Sequence, residues 1–276
     1  MLYWTDIPAG QIHGYDPATG EHDLVYEAPD GRIGGFTIQT DGALLLFGEA
    51  GAVGRLDPTT GERTPVVAPD PDRFHGRLND VIADPTGRVY AGVMPDLAAG
   101  EPGHLYRLDT DGQFEHVVAC DLPNGMGFTP DRTAMYFTDT CEHDPDAPGY
   151  VYRYEYDQAT GELSGRELFL EAADIDGYPD GLTVDAEGSV WVAFWDGHTL
   201  RRFSPDGSQQ RVVELSPAKV SSISFGEADY TAAYITTACL ATRATEGRLA
   251  GSLFRADLGV GGRAEHRSAI APGGSL

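Results

Sequence analysis

Apolar and polar residues alternate along this chain in runs of four to eight, and each run stops at a turn. The segments "ALLLFGE" from Ala43, "RVYAGVM" from Arg88, "HLYRLD" from His104, "YVYRYEYD" from Tyr150, "SVWVAFW" from Ser189, "TLRRFS" from Thr199 and "AAYITTA" from Ala232 have the period and length of β-strands. Turn signals arrive between them at a steady beat: "DPATGE" at Asp16, "TDG" at Thr40, "DPTTGE" at Asp57, "DPTGR" at Asp84, "DTDGQ" at Asp109, "TPDR" at Thr129, "DQATGE" at Asp157, "DAEGS" at Asp185 and "SPDGS" at Ser204. Asp caps such turns and Gly supplies the positive φ of tight hairpins. No helix-period segment exceeds a turn or two, so the chain reads as all-β.

A longer period lies over the short one. Polar residues beside Gly or Asp open an apolar strand near Gly35, Asn79, Asn124, Asp180 and Ser222, at separations of 44, 45, 56 and 42 residues. A repeat of this length, with four strands per unit, predicts the blades of a β-propeller. The five openings give five blades, and "LYWTD", "QIHGYD" and "LVYEA" before Gly35 give strands of a sixth. The first strand of each blade lies nearest the axis, so Asn79, Asn124 and Asp180 are expected to converge as oxygen-bearing side chains suited to a hard cation. The 56-residue gap holds "CEHDPDAPG", a loop that could border the site.

The chain has 276 residues, 41% of them hydrophobic, enough for one large core, and 1–276 reads as a single domain with no linker or low-complexity block. No apolar run is long enough to span a bilayer, and Met1–Gly10 reads as a strand rather than a signal peptide. Cys120, Cys141 and Cys239 are odd in number and widely spaced, which fits a reducing cytoplasm and semi-buried thiols. The formal charge is −24, from 43 acidic against 19 basic residues, and Lys219 is the one lysine. Such a balance excludes nucleic acid as a partner and fits a monomer or weak homo-oligomer.

The repeats also carry a family resemblance. "LYWTDIPAGQIHGYDPATGE", "GRLNDVIADPTGRVYAGVM", "LPNGMGFTPD", "YPDGLTVDAEGSVWVAFWDG" and "GSLFRADLGVGG" occur in order. They resemble the gluconolactonase, regucalcin and luciferin-regenerating-enzyme family of six-bladed propellers over essentially the whole length. The resemblance implies hydrolysis of a sugar lactone such as gluconolactone to its aldonic acid, with one divalent cation, Ca²⁺ foremost and Zn²⁺, Mn²⁺ or Mg²⁺ as alternatives. It implies Asn124 and Asp180 as metal ligands, Asp180 as general base, and Arg77 and Asn79 as substrate-binding residues. The family's third ligand is a glutamate about a strand upstream of "LYW", where this sequence has only Met1. The expectation is therefore an N-terminal blade lacking its innermost strand, from a start recorded too late. The alternative is a propeller that binds metal or ligand without turnover; hydrolysis of another ester or phosphoester is a third reading. Glu101 is a weaker substrate contact by the same resemblance.

The residues can do this chemistry. Amide and carboxylate oxygens suit hard cations, Asp180 can take a proton from water, Arg77 can hold substrate oxygens or an oxyanion, and Asn79 can donate to a hydroxyl or carbonyl. Asp80 reads as structural, His75 and His143 as solvated loop residues, and Trp191 and Trp195 as packing between blades. The acidic surface reads as adapted to high intracellular salt, where screening relieves self-repulsion. The melting temperature is expected to climb with KCl; equal stability in dilute buffer would remove that reading.

Overall fold

The computed structural model describes residues 1–29, 31–95, 101–141, 147–240 and 243–271. These form six consecutive antiparallel sheets, the blades of a six-bladed β-propeller. Sheet one is β1 (Leu2–Asp6), β2 (Gln11–Tyr15) and β3 (His22–Glu27). Sheet two is β4 (Gly35–Ile38), β5 (Leu44–Phe47), β6 (Val53–Leu56) and β7 (Arg63–Val67). Sheet three is β8 (Arg77–Ala83), β9 (Val89–Met94), β10 (Gly103–Leu108) and β11 (Phe114–Cys120). Sheet four is β12 (Pro123–Phe128), β13 (Ala134–Asp139), β14 (Tyr150–Asp157) and β15 (Glu162–Glu171). Sheet five is β16 (Tyr178–Val184), β17 (Val190–Trp195), β18 (Thr199–Phe203) and β19 (Gln209–Glu214). Sheet six is β20 (Val220–Gly226), β21 (Ala232–Thr237) and β22 (Phe254–Asp257). One short helix, α1 (Arg243–Glu246), interrupts the last sheet.

The expected openings are the first strands of sheets two to six. Sheet one has three strands, as expected; sheet six also has three, which the spacing did not foretell. The chain gathers into two compact units: residues 1–123 with 265–276, and residues 124–264. In the first, the C-terminal stretch returns to sheet two, where Ser268 bridges Gln39 and its hydroxyl lies 2.7 Å from that of Thr37. A core around Phe47, Leu78, Val89 and Leu108 holds sheets two and three together. In the second unit, Tyr136, Leu182, Val190 and Phe194 fill the space between sheets four and five, and Trp191, Ile223 and Ile235 that between five and six.

The Asp-Gly turns work as capping devices. Asp84 and Asp185 are fully buried, and each carboxylate accepts backbone N–H groups from its own turn. Charge is met by Arg88 at 2.6 Å from Asp84 and by Arg202 at 2.8 Å from Asp185. Asp185 also takes the indole N–H of Trp191 at 3.0 Å, which lets that large ring be wholly buried.

Two first strands share a defect near their start. In β8, Leu78 faces Val93 and Val81 faces Ala91, so Asn79 and Asp80 together oppose one residue. In β16, Pro179 faces Phe194 and Leu182 faces Val192, so Asp180 and Gly181 do the same. These are β-bulges, which turn side chains out of the ladder. Asp80 closes its bulge as a structural residue: its carboxylate accepts the Val81 N–H at 2.8 Å. It keeps some accessible surface, yet the protein packed around it pushes its carboxyl up to about 6, only partly offset by that hydrogen bond.

A raised carboxyl means the folded state holds a proton that the unfolded chain has released. Asp80 therefore withdraws stability as pH rises from about 4 to about 6, and the loss persists above that window. Asp80→Asn should remove this part of the pH profile and raise stability near neutrality by on the order of 2 kcal/mol. Guanidinium midpoints of both proteins across this range provide the check; parallel profiles would refute it.

Candidate active site

In the second unit, Asn124 lies near the start of β12 and Asp180 in the bulge of β16. A hydroxyl links the two strand starts. The Asn124 amide nitrogen donates to Thr140 Oγ1 at 2.6 Å, and the Thr140 hydroxyl donates to the Pro179 carbonyl at 2.7 Å. Thr140 has a single proton and gives it to Pro179, so its oxygen can only accept from Asn124. That settles the amide orientation: the NH₂ faces Thr140 and Oδ1 faces away, as a cation ligand must. Asn124 and Thr140 are buried and Asp180 is half-buried, so the relay is shielded from water.

Close backbone approach brings these strands into reach. A Cβ on Gly125 would sit 2.6 Å from the Asp180 carbonyl oxygen, and one on Gly181 would sit 2.6 Å from that of Ser221. Any side chain larger than hydrogen would force the starts of β12, β16 and β20 apart. The start of β12 is thus set against β16 by Gly125 and Thr140, and the start of β16 against β20 by Gly181. The role of Thr140 was not foreseen: it follows β13, 16 residues from Asn124 and 39 from Pro179, and no motif marks it.

The first unit carries a second polar set. Arg77 donates through Nη1 to Asn79 Oδ1 at 2.5 Å and to the Leu78 carbonyl at 3.3 Å, with Nη2 at 2.9 Å from Met94 Sδ. Asn79 donates to the Pro123 carbonyl at 2.8 Å. Backbone contacts pin the start of β8: Leu78 N–H donates to Gly48 O at 2.8 Å, and Arg77 bridges Glu49. The planar guanidinium is held half-buried in a fixed pose, which suits recognition of paired oxygens.

Other candidates fall differently. Glu101 lies 2.7 Å from His75 Nδ1, and this pairing raises the His75 pKa, so both belong to one exposed pair. His143 lies outside the described residues. Trp191 packs as expected, whereas Trp195 is only half-buried, with Lys219 Nζ 5.7 Å from its ring centroid. Cys141 is buried, and Cys120 and Cys239 are partly so. Among the described residues no three His, Cys, Asp or Glu side chains gather as a metal cage. The fit to a cation therefore rests on the kind of donor: one amide oxygen of fixed orientation and one carboxylate, both hard ligands.

The family described as "SMP-30/Gluconolactonase/LRE-like region" matches residues 1–239. Pentonolactonase XacC of Haloferax volcanii is 43% identical, over 98% of this chain and 90% of its own. 6-Deoxy-6-sulfogluconolactonase of Pseudomonas putida is 32% identical, over 96% and 89%. Among solved structures, luciferin-regenerating enzyme superposes with a TM-score of 0.85 at 25% identity, over 98% of this chain and 91% of that one. A calcium-binding protein, regucalcin, from Agrobacterium tumefaciens gives 0.84 at 25% identity, over 96% and 88%. The chain belongs to the SMP-30/gluconolactonase/LRE-like family.

Proposed function

We propose that this protein is a metal-dependent lactonase that opens a sugar lactone to its aldonic acid. The observation that carries the reading is the Asn124–Thr140–Pro179 relay, which orients an amide oxygen beside the strand bearing Asp180. The lactonase names of relatives 43% and 32% identical over nearly the whole chain support the substrate class, and the first favours a five-carbon lactone. Regucalcin, named a calcium-binding protein, supports a divalent cation, with Ca²⁺ foremost.

In this reading Asn124 Oδ1 and the Asp180 carboxylate hold the cation. When bound, it withdraws charge from the lactone carbonyl and lowers the pKa of water. Asp180 accepts a proton from the attacking water as the new C–O bond forms. The ring C–O bond then breaks, and the leaving alkoxide takes the proton back, giving a hydroxy acid. Arg77 holds substrate oxygens and opposes the developing negative charge, and Asn79, its Oδ1 turned to Arg77, stands beside it as a second polar contact for the substrate. We further propose a single propeller over 1–276, a cytoplasmic location and a surface adapted to salt. No helix among the described residues is long and apolar enough to cross a membrane.

Hydrolysis of glucono-, xylono- and arabinonolactone, with and without chelator and added divalent ions, tests the activity. Asp180→Asn should lower kcat by roughly a thousandfold or more. Thr140→Val frees the Asn124 amide to rotate and should lower kcat/KM by about tenfold or more, as loss of a ligand-orienting partner does. Full turnover by the Asp180 variant removes the mechanism. Tight metal binding without turnover of any lactone moves the protein to the ligand-binding reading.

A further inference from the structure

Lys219 is the one lysine among 276 residues, in a chain of formal charge −24. It does not lie loose on the surface. Its Nζ is 2.9 Å from Glu246 Oε1 and 3.0 Å from Asp196 Oδ1, and its side chain is only 16% exposed. It also stands over the Trp195 ring. Three stretches of the second unit therefore meet on one ammonium: the turn after β17, the residue before β20, and α1.

The register places this clip. Tyr178, at the start of β16, pairs with Trp195 at the end of β17, and Val220, at the start of β20, pairs with Thr237 at the end of β21. The Asp180 bulge, the 195–198 turn, Lys219 and the segment that leaves β21 thus share one end of the second unit. The segment is weakly packed there. Helix α1 has no buried residue, and a cleft of about 540 Å³ is lined by Ser216 and Pro217 together with Glu246–Leu249. The Lys219–Glu246 pair ties it to the start of β20 through a charged link. The pair is shielded, with Glu246 14% exposed, so salt screens it less than an exposed pair.

We propose that Lys219 is a positioning residue for the lactonase reaction: it fixes residues 243–249 as a wall at the Asp180 end of the second unit, against which the substituents of the lactone ring are selected. This rests on the lactonase reading above. A lactone that fits the wall gains binding only while the wall is held, so the effect falls on KM more than on kcat.

The test pairs limited proteolysis with kinetics. Trypsin can cut after Arg243 and Arg248, and mass spectrometry reads both cuts. Lys219→Met should speed both by about tenfold, as a locally opened segment does, with the melting temperature used to confirm a folded protein. KM for the best lactone should rise about fivefold with kcat within about twofold, and the preference among five- and six-carbon lactones should narrow. Lys219→Arg should restore both properties, and Glu246→Gln should reproduce the faster cutting without touching Lys219. Unchanged cutting in Lys219→Met overturns the clip, and faster cutting with unchanged KM overturns its role in substrate selection. If the wild-type protein opens no lactone, the lactonase reading and the catalytic role both fail, and the cutting rates still report whether the clip holds the segment.

Discussion

The candidate site depends first on how closely backbones can approach. Side chains from different blades reach a common point only if the first strands come nearer than ordinary side chains allow. Gly125 against Asp180 sets β12 close to β16, and Gly181 against Ser221 sets β16 close to β20, since a Cβ at either position would lie only 2.6 Å from the neighbouring carbonyl oxygen. The two glycines lie directly beside the polar residues of interest. In both dipeptides, Asn124-Gly125 and Asp180-Gly181, the polar residue is followed at once by the glycine that lets the backbones close.

A second constraint acts on orientation. An asparagine can present either end of its amide, and only the oxygen binds a cation. The Thr140 hydroxyl, committed as donor to the Pro179 carbonyl, selects the orientation of Asn124. In the first unit Arg77 does the corresponding job for Asn79, because a guanidinium can only donate and therefore draws Oδ1. In both units the neighbour that fixes the amide is polar and at least half-buried, where a lost partner leaves an unpaired group in a poor solvent for it.

Much of this was legible in the sequence. The strands alternate cleanly and the Asp-Gly turns have strong local chemistry, so the sheets arise from near neighbours in the chain. The blade openings come from a repeat, and the repeat aligns Asn79, Asn124 and Asp180. The parts that escaped depend on register between sheets. Thr140 matters because of what lies across from it, and its own neighbourhood carries no signal. The burial that raises Asp80 comes from packing around a bulge, which alternation cannot reveal. Trp195 looked like Trp191 because both alternate on β17, but one faces a core and the other an ammonium. The third strand of sheet six arrives after a long excursion through α1, which the even spacing of earlier blades did not anticipate.

The distribution of cations ties the acidic composition to the fold. With 43 acidic and 19 basic residues, most carboxylates must be left to water and counterions. Several cations go where water is scarce. Arg88 and Arg202 meet the two fully buried turn aspartates, and Lys219 meets the nearly buried Glu246. A carboxylate without a partner at such a place would lose several kcal/mol of solvation or take up a proton. Exposed carboxylates lose far less without a partner, because water and salt screen them. Exposed pairs such as Arg32–Glu49 and Arg55–Asp41 also occur, but the shielded carboxylates of Asp84, Asp185 and Glu246 are the ones for which a cation matters most. Asp80, partly accessible but with protein packed around it and the Val81 N–H on its carboxylate, holds its proton to about pH 6 instead, since one neutral donor offsets only part of the desolvation.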